Sequence, residues 1–179
     1  MRPIRRSMIS VTRVARGLIA LAALVVSAPV AQAQKVGLGF ASPEIDLPTL
    51  DGGRVKLSAL RGHPVVITFW GTWCPPCREE FPELVAAHKQ YRDAGLVVLA
   101  VNQRDQELTT KAVQDFVSGF GVDFPVALDG RGRTRRSFRL VGLPTTIFVD
   151  AAGVIRAVHP GPISRVELSD ALAVIVAAK

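Results

Sequence analysis

The stretch "TFWGTWCPPCREEFPEL", Thr68 to Leu84, decides the fold of this 179-residue chain. It holds the chain's only two cysteines, Cys74 and Cys77, separated by Pro75 and Pro76. The overlapping run "PVVITFW", Pro64 to Trp70, is continuously β-branched, apolar and aromatic, the pattern of a buried central strand. Behind the cysteines, Phe81, Leu84, Val85 and Tyr91 fall on one stripe and predict a helix from Pro75 to about Asp93, ended by Gly95. Cys74 therefore stands where a strand gives way to a helix, with Cys77 one turn further in.

Stability is a poor reason for such a pair, because a bond between Cys74 and Cys77 would close a loop of only two prolines and restrict the unfolded chain little. Redox chemistry is a better one. A helix start turns the positive end of its dipole and its free N–H groups towards the first sulfur, favouring thiolate, the nucleophile of disulfide exchange. Proline is tolerated in a first helical turn. Each one nevertheless removes an N–H that would have faced Cys74. A strong oxidant owes its strength to an unusually stable reduced form, so the two prolines bias this pair towards reduction. The competing reading is a metal site. It needs two further Cys or His ligands, and His63, His88 and His159 are scattered over a loop, a helix and a strand end.

Working outward, "IDLPTLDGGRVKLSAL" reads as two short strands about the turn Asp51-Gly52-Gly53. "LVVLAVN", Leu96 to Asn102, is a second buried strand, and a second helix is expected over Glu107 to Gly119. A short extended piece "DFPVAL" and a helical turn or two over Arg133 to Leu140 follow. "TTIFVD" and "GVIRAVH" form an antiparallel pair, and a last helix opens on the capping box Ser164-x-x-Glu167. Strand–helix–strand units imply parallel neighbours with right-handed crossovers. The fold class is α/β, with a mixed central sheet, helices on both faces and an added N-terminal β-hairpin.

The N-terminus reads differently. Residues 1–16 carry five arginines and no acid, followed by the apolar run "GLIALAALVV" and the small-x-small end Ala31-Gln32-Ala33. That order is a secretory signal peptide over residues 1–33, cleaved after Ala33. The alternative is a retained membrane anchor, although the run is shorter than the ~20 residues that span a bilayer. The Arg5-Arg6 pair leaves twin-arginine export open beside the default general route. Residues 34–39 are expected to be a flexible start, and residues 40–179 the domain. The whole chain has 22 basic and 15 acidic residues; without the leader's five arginines this becomes 17 against 15. The high overall pI is thus an export signature and gives no argument for nucleic-acid binding.

"FWGTWCPPC", followed by "EFPEL" and later "GLPTTIFVD", resembles the thioredoxin superfamily, and more closely its exported TlpA/ResA/CcmG-like thiol–disulfide oxidoreductases, from about Phe40 to the C-terminus. The resemblance implies that Cys74 attacks, that Cys77 resolves, and that Pro144 is a cis-proline packed against the disulfide. It implies that the backbone of Leu143 pairs with an extended substrate segment. Thioredoxin itself has a buried aspartate six residues before the first cysteine, where this chain has Thr68. Relatives in the exported branch carry a glutamate at the place of Glu80, which makes Glu80 the candidate acid/base for Cys77. Glu80 is also a residue type favoured in an early helical turn, as Glu79 and Glu83 are. Pro82 is expected to kink the helix.

Trp73 is expected on an apolar docking surface and Trp70 in the core. Arg131, Arg133, Arg135, Arg136 and Arg139 read as a solvated helix face or as a surface for an acidic partner. The expected activity is a periplasmic protein-disulfide reductase that needs no organic cofactor and no metal. Its implied partners are disulfide-containing exported proteins, of the cytochrome c maturation or copper-assembly type, and a membrane thiol carrier as electron donor. A monomer is expected. Two rivals stand beside it. A peroxiredoxin-like peroxidase usually has threonine three residues before its cysteine, where this chain has Gly71. A copper-binding chaperone has a longer Cys-to-Cys spacing and a histidine near the segment occupied here by "GLPTT".

Overall fold

A computed structural model describes residues 36–177. The expected signal peptide lies outside the described residues. The strand before the cysteines, β3 (Val65–Trp70), is buried at every position and occupies the centre of a five-stranded sheet. It pairs in parallel with β4 (Val97–Asn102), from Val65↔Val97 to Trp70↔Asn102, and antiparallel with β6 (Thr145–Val149). β5 (Val126–Leu128) extends the sheet beyond β4, and β7 (Ile155–Pro160) beyond β6, giving the order β5-β4-β3-β6-β7. A strand packed on both faces has no polar side to alternate with, which is why its sequence is a continuous apolar run.

The hairpin is β1 (Asp46–Pro48) against β2 (Arg54–Lys56), with Gly52 at φ 88° in its turn. It docks on the sheet edge through the Thr49↔Ala127 bridge and the hydrogen bond from Leu50 N to Val126 O. Val36 packs on the core on the hairpin side, and the Gly39 N–H donates to Ile155 O at 2.9 Å.

Residue alternation divides the interior in two. Val66, Trp70, Val98, Ala100 and Phe148 face α1 (Pro75–Tyr91), α2 (Thr110–Gly119) and α4 (Arg165–Ala177). Ile67, Phe69, Leu99, Val101 and Ile147 face the other way, towards the hairpin and Phe138 just after the short helix α3 (Arg133–Ser137). The first face holds an aromatic cluster in which Trp70 lies 4.7 Å from Phe81 and 4.5 Å from Phe116 between ring centroids. Such pairs contribute about 0.5–1.5 kcal/mol each beyond the area they bury.

α1 runs from Pro75 to Tyr91 with Pro82 inside it. One expectation about the helices is revised. α2 begins at Thr110 instead of Glu107, because the Thr109 side chain accepts from Ala112 N at 3.1 Å and caps the helix there. Glu107 is thereby left outside the helix and free to turn inward. Among the described residues no helix is long and apolar enough to cross a membrane.

Candidate active site

Cys74 is the residue just before α1, its backbone extended at φ −97° and ψ 102°. Its N–H donates to Gly71 O at 3.1 Å, closing the turn that leaves β3. Cys77 lies in the first turn of the helix, and the two sulfurs form a disulfide of 2.04 Å. Both cysteines are buried, with Cys74 4% and Cys77 0% exposed. The supply of N–H donors at this helix start is small. Pro75 and Pro76 have none, and the Cys77 N–H is already committed to Cys74 O at 3.1 Å.

Glu80 is fully buried, and Thr68 Oγ1 donates to its Oε1 at 2.7 Å. Thr68 and Glu80 thus meet on the helix-covered face of the sheet. Burial pushes the Glu80 carboxyl from 4.5 up to about 7. The Thr68 hydroxyl and then the Ile163 main chain pull it partway back. Its second oxygen, Oε2, has no hydrogen-bond partner.

Trp73 is 49% exposed, next to the disulfide, whereas Trp70 is wholly buried. Gly71 lets the Trp73 indole fold back: a Cβ there would lie 2.8 Å from the ring. The Leu143–Pro144 peptide is cis. Pro144 is buried, Leu143 is half-buried, and β6 begins just after them at Thr145. The Pro144 carbonyl accepts from Gly161 N at 2.8 Å, which ties the proline to the loop that also carries Ile163. Of the arginines around α3, Arg131, Arg133, Arg136 and Arg139 are exposed and Arg135 half-buried. Among the described residues no group of three or more His, Cys, Asp or Glu side chains is placed to hold a metal ion.

Sequence reasoning missed Glu107. Its carboxyl is 8% exposed and accepts from Thr72 N at 2.7 Å, Thr72 Oγ1 at 2.5 Å and Asn102 Nδ2 at 2.8 Å. The available signal was Asn102, a polar residue ending an otherwise apolar strand and therefore in want of a partner.

A dithiol–disulfide pair at the strand–helix junction of a thioredoxin fold defines a thiol–disulfide oxidoreductase. The chain belongs to the AhpC/TSA family, which it matches over residues 38–158. It is 34% identical over 141 residues to the thioredoxin-like protein YneN of Bacillus subtilis, covering 78% of this chain and 82% of the relative. To the thiol-disulfide oxidoreductase ResA of the same organism it is 32% identical over 151 residues, covering 84% and 83%. Among solved structures, a thioredoxin-family thiol:disulfide interchange protein from Chlorobium tepidum superposes with a TM-score of 0.67 at 26% identity, covering 79% of this chain and 99% of that one. A secreted Mycobacterium tuberculosis disulfide oxidoreductase homologous to E. coli DsbE gives 0.65 at 26%, covering 73% and 95%. The chain is thus of the ResA and DsbE type, acting on disulfide-containing substrates.

Proposed function

We propose that this chain is an exported reductant of protein disulfides working in the periplasm. The observation that carries the direction is the donor-poor start of α1: two prolines and a committed Cys77 N–H leave little to stabilise a Cys74 thiolate. A poorly stabilised thiolate makes the dithiol a better electron donor. Export is supported by the basic, apolar and small-residue order of residues 1–33 and by the likeness to a secreted oxidoreductase.

In the reduced protein the Cys74 thiolate attacks one sulfur of a partner disulfide. The partner's other sulfur leaves as a thiolate, and a mixed disulfide forms. Glu80 takes the proton of the Cys77 thiol. Cys77 then attacks Cys74, releasing the partner's second sulfur and leaving the Cys74–Cys77 disulfide. Two electrons have passed to the partner, and a membrane thiol carrier restores them. A carboxyl held at about 7 can accept and return a proton near neutral pH. Exposed Trp73 offers an apolar platform, and the main chain of Leu143 before Pro144 offers a strand edge to an extended substrate segment. Cysteines of apocytochrome c or of a copper-assembly protein fit this reading.

The reduction potential of the mature protein tests it. A value at or below about −230 mV supports a reductant, and a value near about −120 mV makes the protein an oxidant and overturns the reading. The peroxidase alternative is disfavoured by Gly71, because a side chain at that position would collide with the Trp73 ring. A peroxide-consumption assay separates the two activities.

A further inference from the structure

Deepening the proposed reductant reading and resting on it, we propose that Glu107 is a positioning residue for Cys74: it locks the turn that carries the nucleophile, and its negative charge keeps the thiolate scarce. Three donors converge on its carboxyl, two from Thr72 and one from Asn102. No acceptor is hydrogen-bonded to either oxygen, the arrangement of an ionised, acceptor-only carboxylate. The register explains the meeting. Asn102 lies beside Trp70 at the ends of β4 and β3, and Gln103 N donates to Trp70 O at 2.9 Å. The chain after β4 is thereby held against the turn Gly71-Thr72-Trp73, whose Gly71 carbonyl accepts the Cys74 N–H.

A neutral acceptor would close this turn without the cost of burying a charge. The charge therefore has a use at this position. Thr72 and Cys74 are two residues apart, so their Cα atoms lie within about 7.6 Å, and the carboxylate sits against the Thr72 amide. A unit charge at roughly 10 Å in a protein-like medium moves a pKa by about one unit, upward for a thiol facing an anion. The other charged groups around the turn set the starting value and are the same with and without the Glu107 charge. Arg104 donates to Glu107 O and Thr110 Oγ1, and Arg78 of α1 lies over the Phe116 ring at 4.8 Å, both still cationic, while Glu80 is held largely protonated by burial below about pH 7. Glu107 thus acts in the same direction as the two prolines: it adds a negative charge beside the turn that leads into Cys74.

The test is the pH profile of Cys74 alkylation in the reduced mature chain, with Cys77→Ala as background so that one thiol titrates. Glu107→Gln is expected to lower the midpoint by about one unit. Thr72→Val removes a hydrogen bond from the same turn without touching the charge, and should move the midpoint by less than about a third of that shift. No shift in Glu107→Gln, or an equal shift in Thr72→Val, overturns the proposal. If Glu107→Gln does not fold, Glu107→Asp keeps the charge and shortens the reach. Its midpoint should then stay high while its melting temperature falls; a midpoint that drops by a full unit overturns the proposal. The underlying reading fails separately: a potential in the oxidant range for the unaltered protein would reject the reductant assignment and leave the Glu107→Gln difference standing.

Discussion

The helices of this molecule begin in two ways. α2 is capped by the Thr109 hydroxyl, and α4 by a reciprocal box in which Ser164 N donates to Glu167 Oε2 at 3.0 Å while Glu167 N donates to Ser164 Oγ at 3.4 Å. α3 is capped across a turn by Asp129, whose carboxyl accepts from the N–H groups of Arg133, Thr134 and Arg135. Each gives its first amides an oxygen. α1 has a sulfur at the capping position, no side-chain cap, and prolines where the first two amides would be. Three helix starts are closed for stability. The fourth has its amides removed instead of satisfied, which leaves the end of the helix free for a reacting atom at no loss of hydrogen bonds.

The most drastic way to break the contrast is to remove that atom. Cys74→Ala should abolish disulfide reduction in an insulin-type turnover assay, whereas Cys77→Ala should leave a mixed disulfide that is visible on a non-reducing gel. The next effect lies just behind the same helix start. Glu80 has a raised pKa, so the folded state holds its proton between about 4.5 and about 7 while the unfolded chain releases it. Stability linked to Glu80 is therefore fully present below pH 4.5 and is lost as pH rises through 7, by up to about 3 kcal/mol. Denaturant unfolding from pH 4 to 8 should show this loss in the native chain and not in Glu80→Gln; equal slopes would mean that Glu80 does not titrate in this window.

At the capped starts the expected effects fall on stability alone. Asp129→Ala strands three amides of α3 and should cost about 2–3 kcal/mol, and Thr109→Ala about 1 kcal/mol, both read from the denaturation midpoint. Neither should move the Cys74 pKa. Pro76→Ala is the smallest and sharpest case. It returns one amide to the start of α1 and should lower the Cys74 pKa by less than about one unit. A rise would undo the account of the prolines.

The helix start was largely legible in the sequence, because strand run, cysteines, prolines and helical stripe are neighbours along the chain. The α4 box could be read for the same reason, Ser164 and Glu167 being three residues apart. What could not be read depends on register. Glu107 meets Thr72 only because β3 and β4 align Trp70 with Asn102. Thr68, noted as a departure from thioredoxin, becomes the partner of Glu80 only when α1 folds back over β3. Asp129 caps α3 only because the left-handed Gly132 between them, at φ 57°, turns the chain back towards its carboxyl. Arg139, at φ 53°, is the one non-glycine residue at positive φ among the described residues, and no local sequence rule marks an arginine for that conformation.

The two tryptophans, three residues apart, lie in opposite surroundings: Trp70 is sealed among Phe81 and Phe116, while Trp73 is half open to water. Since the chain has no other tryptophan, its intrinsic fluorescence divides into a blue-shifted emitter shielded from solution quenchers and a red-shifted emitter open to them. Iodide would silence Trp73 first. A docked partner covering Trp73 would restore that component without disturbing the other. The molecule therefore carries its own optical gauge of occupancy, with an internal reference three residues away.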